Sequence, residues 1–307
     1  MAKSKPITDE YTYRDFIAEY PDDDACLDKI FEMIYGDMIS CPKCGYEKRY
    51  VRVRTRKAYQ CRKCYNSIHV LRSTPFSRTR TPLTSWFYAI FLFTKSKHGL
   101  PALELARTIG VTPKTALRML KQIRIFITND ESKMGSINSQ SIDNQEVVID
   151  ESFVGGLNKN RHKDKKVAKC QGRSYKDKTP VFGMLEKSSG RLIAKVMPNV
   201  QGKTIKKFLL KYVHPGATLH TDEYKGYNGL EKIYNRKSCN HSAKIFVAEG
   251  ASTNALESAW NNLKKSYRVY AHMTKKYIHL YVKEFVFRFN NRNSKNVFRD
   301  LLYSIVY

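Results

Sequence analysis

Three carboxylates stand where a divalent-metal site could form. Asp150 closes the short apolar run Glu146-Val-Val-Ile-Asp150. Asp222 follows a second run, Ala217 to His220, and Glu257 sits early in a helical pattern that begins at Asn254. Two strand ends and one helix can bring three acids to one edge of a sheet. Two Mg²⁺ ions held there, about 3.5–4 Å apart, would stabilise both the attacking and the leaving oxygen of a phosphoryl transfer. Glu151 and Glu223 adjoin two of these acids and compete for the same assignments. Successive side chains of a strand point to opposite faces, so only one of Asp150 and Glu151 can face the site. Lys264 follows Glu257 by two helical turns and shares its face, where a lysine can bind a phosphate or the reacting strand. Trp260, one turn from Glu257, is expected to pack against the sheet. His220, two residues before Asp222, and His241 and His272 are weaker candidates, because a lone histidine is more often structural.

A second set of ligands precedes the acids. Cys41-Pro-Lys-Cys44 and Cys61-Arg-Lys-Cys64 are two C-x-x-C pairs with sixteen residues between them. Zn²⁺ takes four soft ligands in a tetrahedron, and each pair supplies two thiolates from one turn. Gly45 suits the first turn. So small a module has little core, so metal binding should supply its folding energy. The closed ligand set makes this zinc structural. Arg49, Arg52, Arg54, Arg56 and Lys57, between the pairs, suit a ribbon that faces DNA. The run from Leu103 to Leu120 reads as a helix-turn-helix. Ala106 allows close helix crossing, Gly110 the sharp turn, and Val111 plugs it. Thr112 caps a second helix with Pro113 at its first position. That helix would offer Lys114, Thr115 and Arg118 to a major groove.

The elements that must position these groups follow from the pattern of apolar residues. Two short helices, split at Pro21-Asp22-Asp23-Asp24, fill an N-terminal helical segment over residues 1–38. The zinc ribbon spans 39–70 as a hairpin, and a helical helix-turn-helix region spans 71–130. A polar linker covers 131–145. From 146 to 293 the order is a strand to Asp150, a long basic loop over 155–178, and a hairpin of Val181–Leu185 and Leu192–Met197. A helix at Gly202–Val213 and the strand to His220 come next. A helix at Gly226–Tyr234, a strand at Lys244–Val247 and two long helices complete it. Residues 294–307 are expected to be a C-terminal tail. The chain is therefore multidomain α+β, its second half a mixed sheet flanked by helices.

Composition narrows the partners. The 307 residues carry 55 Lys+Arg against 28 Asp+Glu, a formal net charge of +27. Such an excess favours a polyanion. No apolar run approaches the ~20 residues of a membrane-spanning helix, and the first ten residues hold no signal-peptide core. Nucleic acid is thus the expected partner, with no membrane. The seven cysteines suit a metal site plus ordinary thiols in a reducing cytosol.

The motifs together resemble a family. Asp150-Glu-Ser-Phe-Val-Gly-Gly156, Lys178-Thr-Pro-Val-Phe-Gly183, His220-Thr-Asp-Glu-Tyr224 and Asn254-Ala-Leu-Glu-Ser-Ala-Trp260 resemble those of bacterial insertion-sequence transposases with an N-terminal zinc ribbon, relatives of the eukaryotic Merlin elements. Lys264-Lys265, Glu284 through Arg292, and Phe16 through Cys44 extend the likeness over nearly the whole chain. One departure is the short Met38-Ile39-Ser40, where the family usually carries a Trp-containing segment. The resemblance implies a ribonuclease-H-like DDE catalytic domain that uses Mg²⁺ or Mn²⁺. Asp150, Asp222 and Glu257 match its metal-binding acids, and Lys264 matches a lysine at that spacing. It implies hydrolysis of a phosphodiester at the element's ends, followed by joining of the 3′-hydroxyls to target DNA. Element ends and target DNA are then the partners, with at least a dimer on DNA. The compartment would be the cytoplasm (the nucleoid) in a bacterium or the nucleus in a eukaryote. Two other readings stand beside this one: a non-enzymatic zinc-ribbon and helix-turn-helix regulator, and a nuclease of the same fold that cleaves without joining.

Overall fold

The computed structural model describes residues 11–38, 40–47, 50–72, 74–129, 145–155, 158, 162–168, 178–239, 253–270 and 273–306. The polar linker before Gln145, the strand at 244–247, most of the basic loop, Arg49, Cys170, His241 and His272 lie outside them. The described residues form two compact units. One gathers residues up to 96 with 100–127 and those from 293 onward. The other gathers 128–292 with Lys97–Gly99.

In the first unit, α1 (Tyr13–Glu19) opens with a capping box in which Thr12 and Asp15 satisfy each other's backbone amides. α2 (Asp23–Tyr35) is capped by Asp22, whose carboxylate accepts from the Ala25 amide at 2.8 Å. Asp23 accepts from the Thr84 amide at 2.9 Å and so caps α3 (Leu83–Lys95), whose own N-cap, Pro82, offers no side-chain acceptor. The three-stranded ribbon β1 (Val51–Val53), β2 (Ala58–Gln60), β3 (Ser67–Ile68) is antiparallel throughout. It packs on α2. Tyr59 stacks on Phe31 with ring centroids 4.0 Å apart and donates to Asp28, and Arg52 meets Asp24 at 2.7 Å.

α4 (Ala102–Ile109) and α5 (Pro113–Asn129) form the expected helical pair. Gly110 is left-handed (φ 68°), and Thr112 accepts from the Thr115 amide at 3.2 Å. α5 is the longest helix of this unit among the described residues. The last fourteen residues, read as a tail, instead carry α9 (Val297–Val306). Phe298 packs on Tyr11, Phe16, Tyr20 and Phe91, and Arg299 meets Glu19 at 3.2 Å. The chain's end is thus part of the N-terminal unit's core.

The second unit is built on a five-stranded sheet in the order β6-β5-β4-β7-β8. Its strands are β4 (Glu146–Val154), β5 (Thr179–Glu186), β6 (Leu192–Val196), β7 (Thr218–Thr221) and β8 (Asn235–Ser238). The first three are antiparallel, while β7 and β8 run parallel to β4. This is the ribonuclease-H-like arrangement. β4 is central and buried on both faces, which explains the unbroken Val147-Val148-Ile149. On one face, Val147, Ile149 and Phe182 pack with α6 (Gly202–Tyr212) and with Tyr227 and Leu230. On the other, Val148, Val154 and Val181 pack with α7 (Asn254–Val269) and α8 (Ile278–Asn290).

One expected helix does not form. Gly226–Tyr234 folds as two 3₁₀ turns, Lys225–Tyr227 and Leu230–Lys232, and then runs directly into β8. Gly229 between them is left-handed (φ 86°), which ends a right-handed helix.

Candidate active site and metal centre

Asp150 does not end its strand. β4 continues four residues further, to Val154, beside β5. What ends near Asp150 is the pairing with β7, whose last register pair is Val148 with His220. Asp150 and Asp222 each lie two residues beyond that pair, so the register sets them side by side on neighbouring strands. Asp222 is half-buried, and its carboxylate accepts from the Tyr224 amide at 2.9 Å. Glu223 is exposed. Glu151 points to the opposite face, as strand geometry requires, and accepts from the buried Tyr227 hydroxyl at 2.5 Å. Burial, then the neighbouring Glu151 and Asp222 carboxylates, push Asp150 up to about 7. Like charges crowded in a half-dry site hold a proton that a bound cation would displace.

The third acid arrives on α7. Leu256, Ala259, Trp260 and Leu263 form the buried stripe of that helix. The Trp260 indole N–H donates to Asp150 Oδ2 at 3.0 Å. Its ring lies over Gly183, the β5 partner of Asp150, and a Cβ at 183 would stand 2.5 Å from two of its ring carbons. Gly183 therefore makes room for the indole, and the indole fixes the second turn of α7 against the middle of β4. Glu257, one turn earlier on α7, is half-buried, and its carboxylate accepts from Thr253 Oγ1 at 2.8 Å. Lys264 is exposed two turns further on. The sequence reading gave Trp260 a packing role only. Its indole donor and the Gly183 gap were the missing signal, since glycine is unusual inside a buried strand.

His220 is fully buried and turned toward Glu146, with Nε2 3.3 Å from Oε2. Burial, then Lys187, lowers its pKa. That carboxylate is upstream of the acids and not among them.

The ribbon is a different kind of centre. Among the described residues, Cys41, Cys44, Cys61 and Cys64 are the one group whose ligand atoms lie within 4.8 Å of one another. Cys41 and Cys64 sulfurs are 3.7 Å apart, and Cys44 and Cys61 sulfurs 3.8 Å. A tetrahedron of 2.3 Å Zn–S bonds has edges of about 3.8 Å, so the thiol set fits zinc. The Tyr50 hydroxyl, 3.1 Å from Cys41 Sγ, lowers that thiol to about 6, toward the thiolate that binds metal.

The other expected contacts are placed unevenly. Arg52 is occupied within the unit, donating to the carbonyls of Val53, Arg56 and Ala58 as well as to Asp24. Arg54 and Lys114 are exposed, and Thr115 is half-buried beside Thr112. Arg118 is exposed, with its guanidinium 5.8 Å from the Trp86 ring centroid.

Comparison with known proteins gives two family matches. Residues 144–290 match the ISXO2-like transposase domain, a DDE domain, and residues 21–67 match the transposase zinc-ribbon domain. An uncharacterised transposase-like protein of Haemophilus influenzae is 29% identical over 102 residues, 33% of this chain and 82% of that one. A solved structure, described as the crystal structure of a pre-cleavage Mos1 transpososome, is 10% identical. It covers 72% of this chain and 79% of that chain with a TM-score of 0.22, too low to bear on this fold.

Proposed function

The chain belongs to the zinc-ribbon-containing DDE insertion-sequence transposases, and on that premise we propose that it cuts the ends of its own mobile element and joins them to target DNA. In the first step water attacks the phosphodiester at an element end and the bond to the 3′ oxygen breaks, freeing a 3′-hydroxyl. In the second, that hydroxyl attacks a target phosphodiester and the target's own 3′ oxygen leaves. Each step exchanges one P–O bond for another, so neither ATP nor a covalent enzyme intermediate is needed.

The observation that carries this reading is the Trp260–Asp150 hydrogen bond. It draws the helix bearing Glu257 onto the strand whose register sets Asp150 beside Asp222. Asp150, Asp222 and Glu257 would hold Mg²⁺ or Mn²⁺. When bound, such cations stabilise the charge on the entering and leaving oxygens. The proton on Asp150 leaves as the site fills. Trp260 keeps the Asp150 carboxylate oriented, and Lys264 offers a cation to a DNA phosphate. Cys41, Cys44, Cys61 and Cys64 hold a structural Zn²⁺. Arg54 on the ribbon, and Lys114, Thr115 and Arg118 on α5, are the proposed DNA contacts. Arg52 supports the ribbon's seat on α2. A transposase that cuts two ends together works as at least a dimer on DNA.

The test uses the DNA that flanks the gene. Inverted repeats from that DNA, pre-cut and incubated with target plasmid and Mg²⁺, should be joined by the native protein and not by Asp222→Asn. Cleavage of uncut repeats without joining of pre-cut ones favours a nuclease, and repeat binding without either favours a regulator.

A further inference from the structure

The zinc ribbon contains two turns of the same build, and one residue breaks the likeness. In each, the residue four places after the first cysteine donates its amide to that cysteine's carbonyl: Gly45 to Cys41 at 2.8 Å, and Tyr65 to Cys61 at 3.1 Å. Both residues take a left-handed backbone, with φ of 67° and 60°. The turn demands that conformation. Glycine adopts it freely, whereas a Cβ with a ring attached is strained there. Tyr65 is the only non-glycine with positive φ among the described residues. Burial does not offset the strain, because Tyr65 is 71% exposed, more than any other exposed large hydrophobic side chain described.

We propose that Tyr65 is a DNA-contacting residue. Its ring packs against the deoxyribose wall of a duplex groove, while the exposed Arg62 and Lys63 reach the flanking phosphates. The proposal rests on the DNA-facing reading of the ribbon given above and adds the residue at its tip. Three observations point to this partner. The backbone that presents the ring is held, since Gln60 Nε2 and Ser67 Oγ both donate to the Tyr65 carbonyl, at 2.9 and 3.4 Å. An aromatic side chain has only two rotatable bonds to order on binding. The preceding Arg62 and Lys63 are exposed cations, which match a polyanion. Finally, a chain of net charge +27 repels a second copy brought to the same face, so DNA fits this surface better than self-association does.

The experiment measures binding of the zinc-loaded full-length protein to a labelled random-sequence duplex. Tyr65→Gly should bind roughly tenfold more weakly. It should retain zinc and melt at the same or a higher temperature, because the strain is relieved. Tyr65→Phe should bind like the native protein. Tyr65→Asn, which also tolerates the left-handed turn, should match Tyr65→Gly and keeps the test decisive if glycine loosens the loop. Native affinity in both the Gly and Asn variants, with Arg54→Ala weakened, overturns the role of Tyr65 alone. Absence of duplex binding by the native protein overturns the DNA-facing reading and the role of Tyr65 with it.

Discussion

The two candidate metal centres of this chain solve opposite problems. The ribbon brings four sulfurs from two turns to near tetrahedral spacing, with pairs 3.7 and 3.8 Å apart. It is closed, and the cation it fits holds the module together. The acids come from β4, the end of β7 and the start of α7, and the described structure does not draw them into one tight group. Their fold is held without them, by a sheet with packed side chains on both faces. One centre is a rivet, and the other is an open seat.

The largest effect expected from breaking this contrast is at the ribbon. Cys61→Ser should abolish zinc retention and unfold the ribbon, since structural Zn²⁺ supplies about 10–16 kcal/mol in small zinc modules. Metal analysis and far-ultraviolet circular dichroism would show it. The same substitution should leave the cooperative unfolding of the sheet unit in place. At the acids the effect should fall on chemistry. Asp150→Asn should lower strand joining by at least about a thousandfold, about 4 kcal/mol of barrier, with zinc content unchanged.

Trp260→Phe keeps most of the packing and removes the indole donor to Asp150. Metal affinity or joining should drop about 10–100-fold, as when other partners that orient a ligand are lost. The metal dependence of the joining rate checks it. A smaller effect concerns pH in the presence of chelator. Asp150 is raised to about 7 from 3.8. Between those values the folded state holds a proton that the unfolded chain releases. Stability should therefore decline as pH rises from 4 to 7, on the order of 4 kcal/mol in all, and level off above. Asp150→Asn should flatten that decline and melt higher than the native protein at pH 8, which thermal melts across the range would reveal.

Much of this plan is written in apolar pattern. Val147-Val148-Ile149 and the hairpin around Ser188-Ser189-Gly190 announce β4, β5 and β6, because buried strands need apolar runs and tight turns need glycine. β8 reads Asn-Arg-Lys-Ser and gives no such signal. It is an edge strand that β7 recruits by backbone pairing. α9 carries Phe298, Leu301, Leu302 and Ile305 at helical spacing, although residues 294–307 read as a tail. Its lodging among Tyr11, Phe16 and Phe91 depends on contacts more than two hundred residues apart, which local pattern cannot carry. At the site, spacing left Asp222 and Glu223 equal. The structure separates them, because Asp222 follows the last β4–β7 pair by the same two residues as Asp150, while Glu223 is exposed. The Trp260–Gly183 fit was invisible because it joins a helix to a strand through the absence of a Cβ.

The central claim is that Asp150, Asp222 and Glu257 act as one cation-dependent site for joining DNA. The most direct test gives pre-cut repeats from the flanking DNA, target plasmid and Mg²⁺ to the native protein and to Glu257→Gln. Joined product is expected from the native protein, none in chelator, and none from Glu257→Gln at equal zinc content. Joining by Glu257→Gln at the native rate would contradict it.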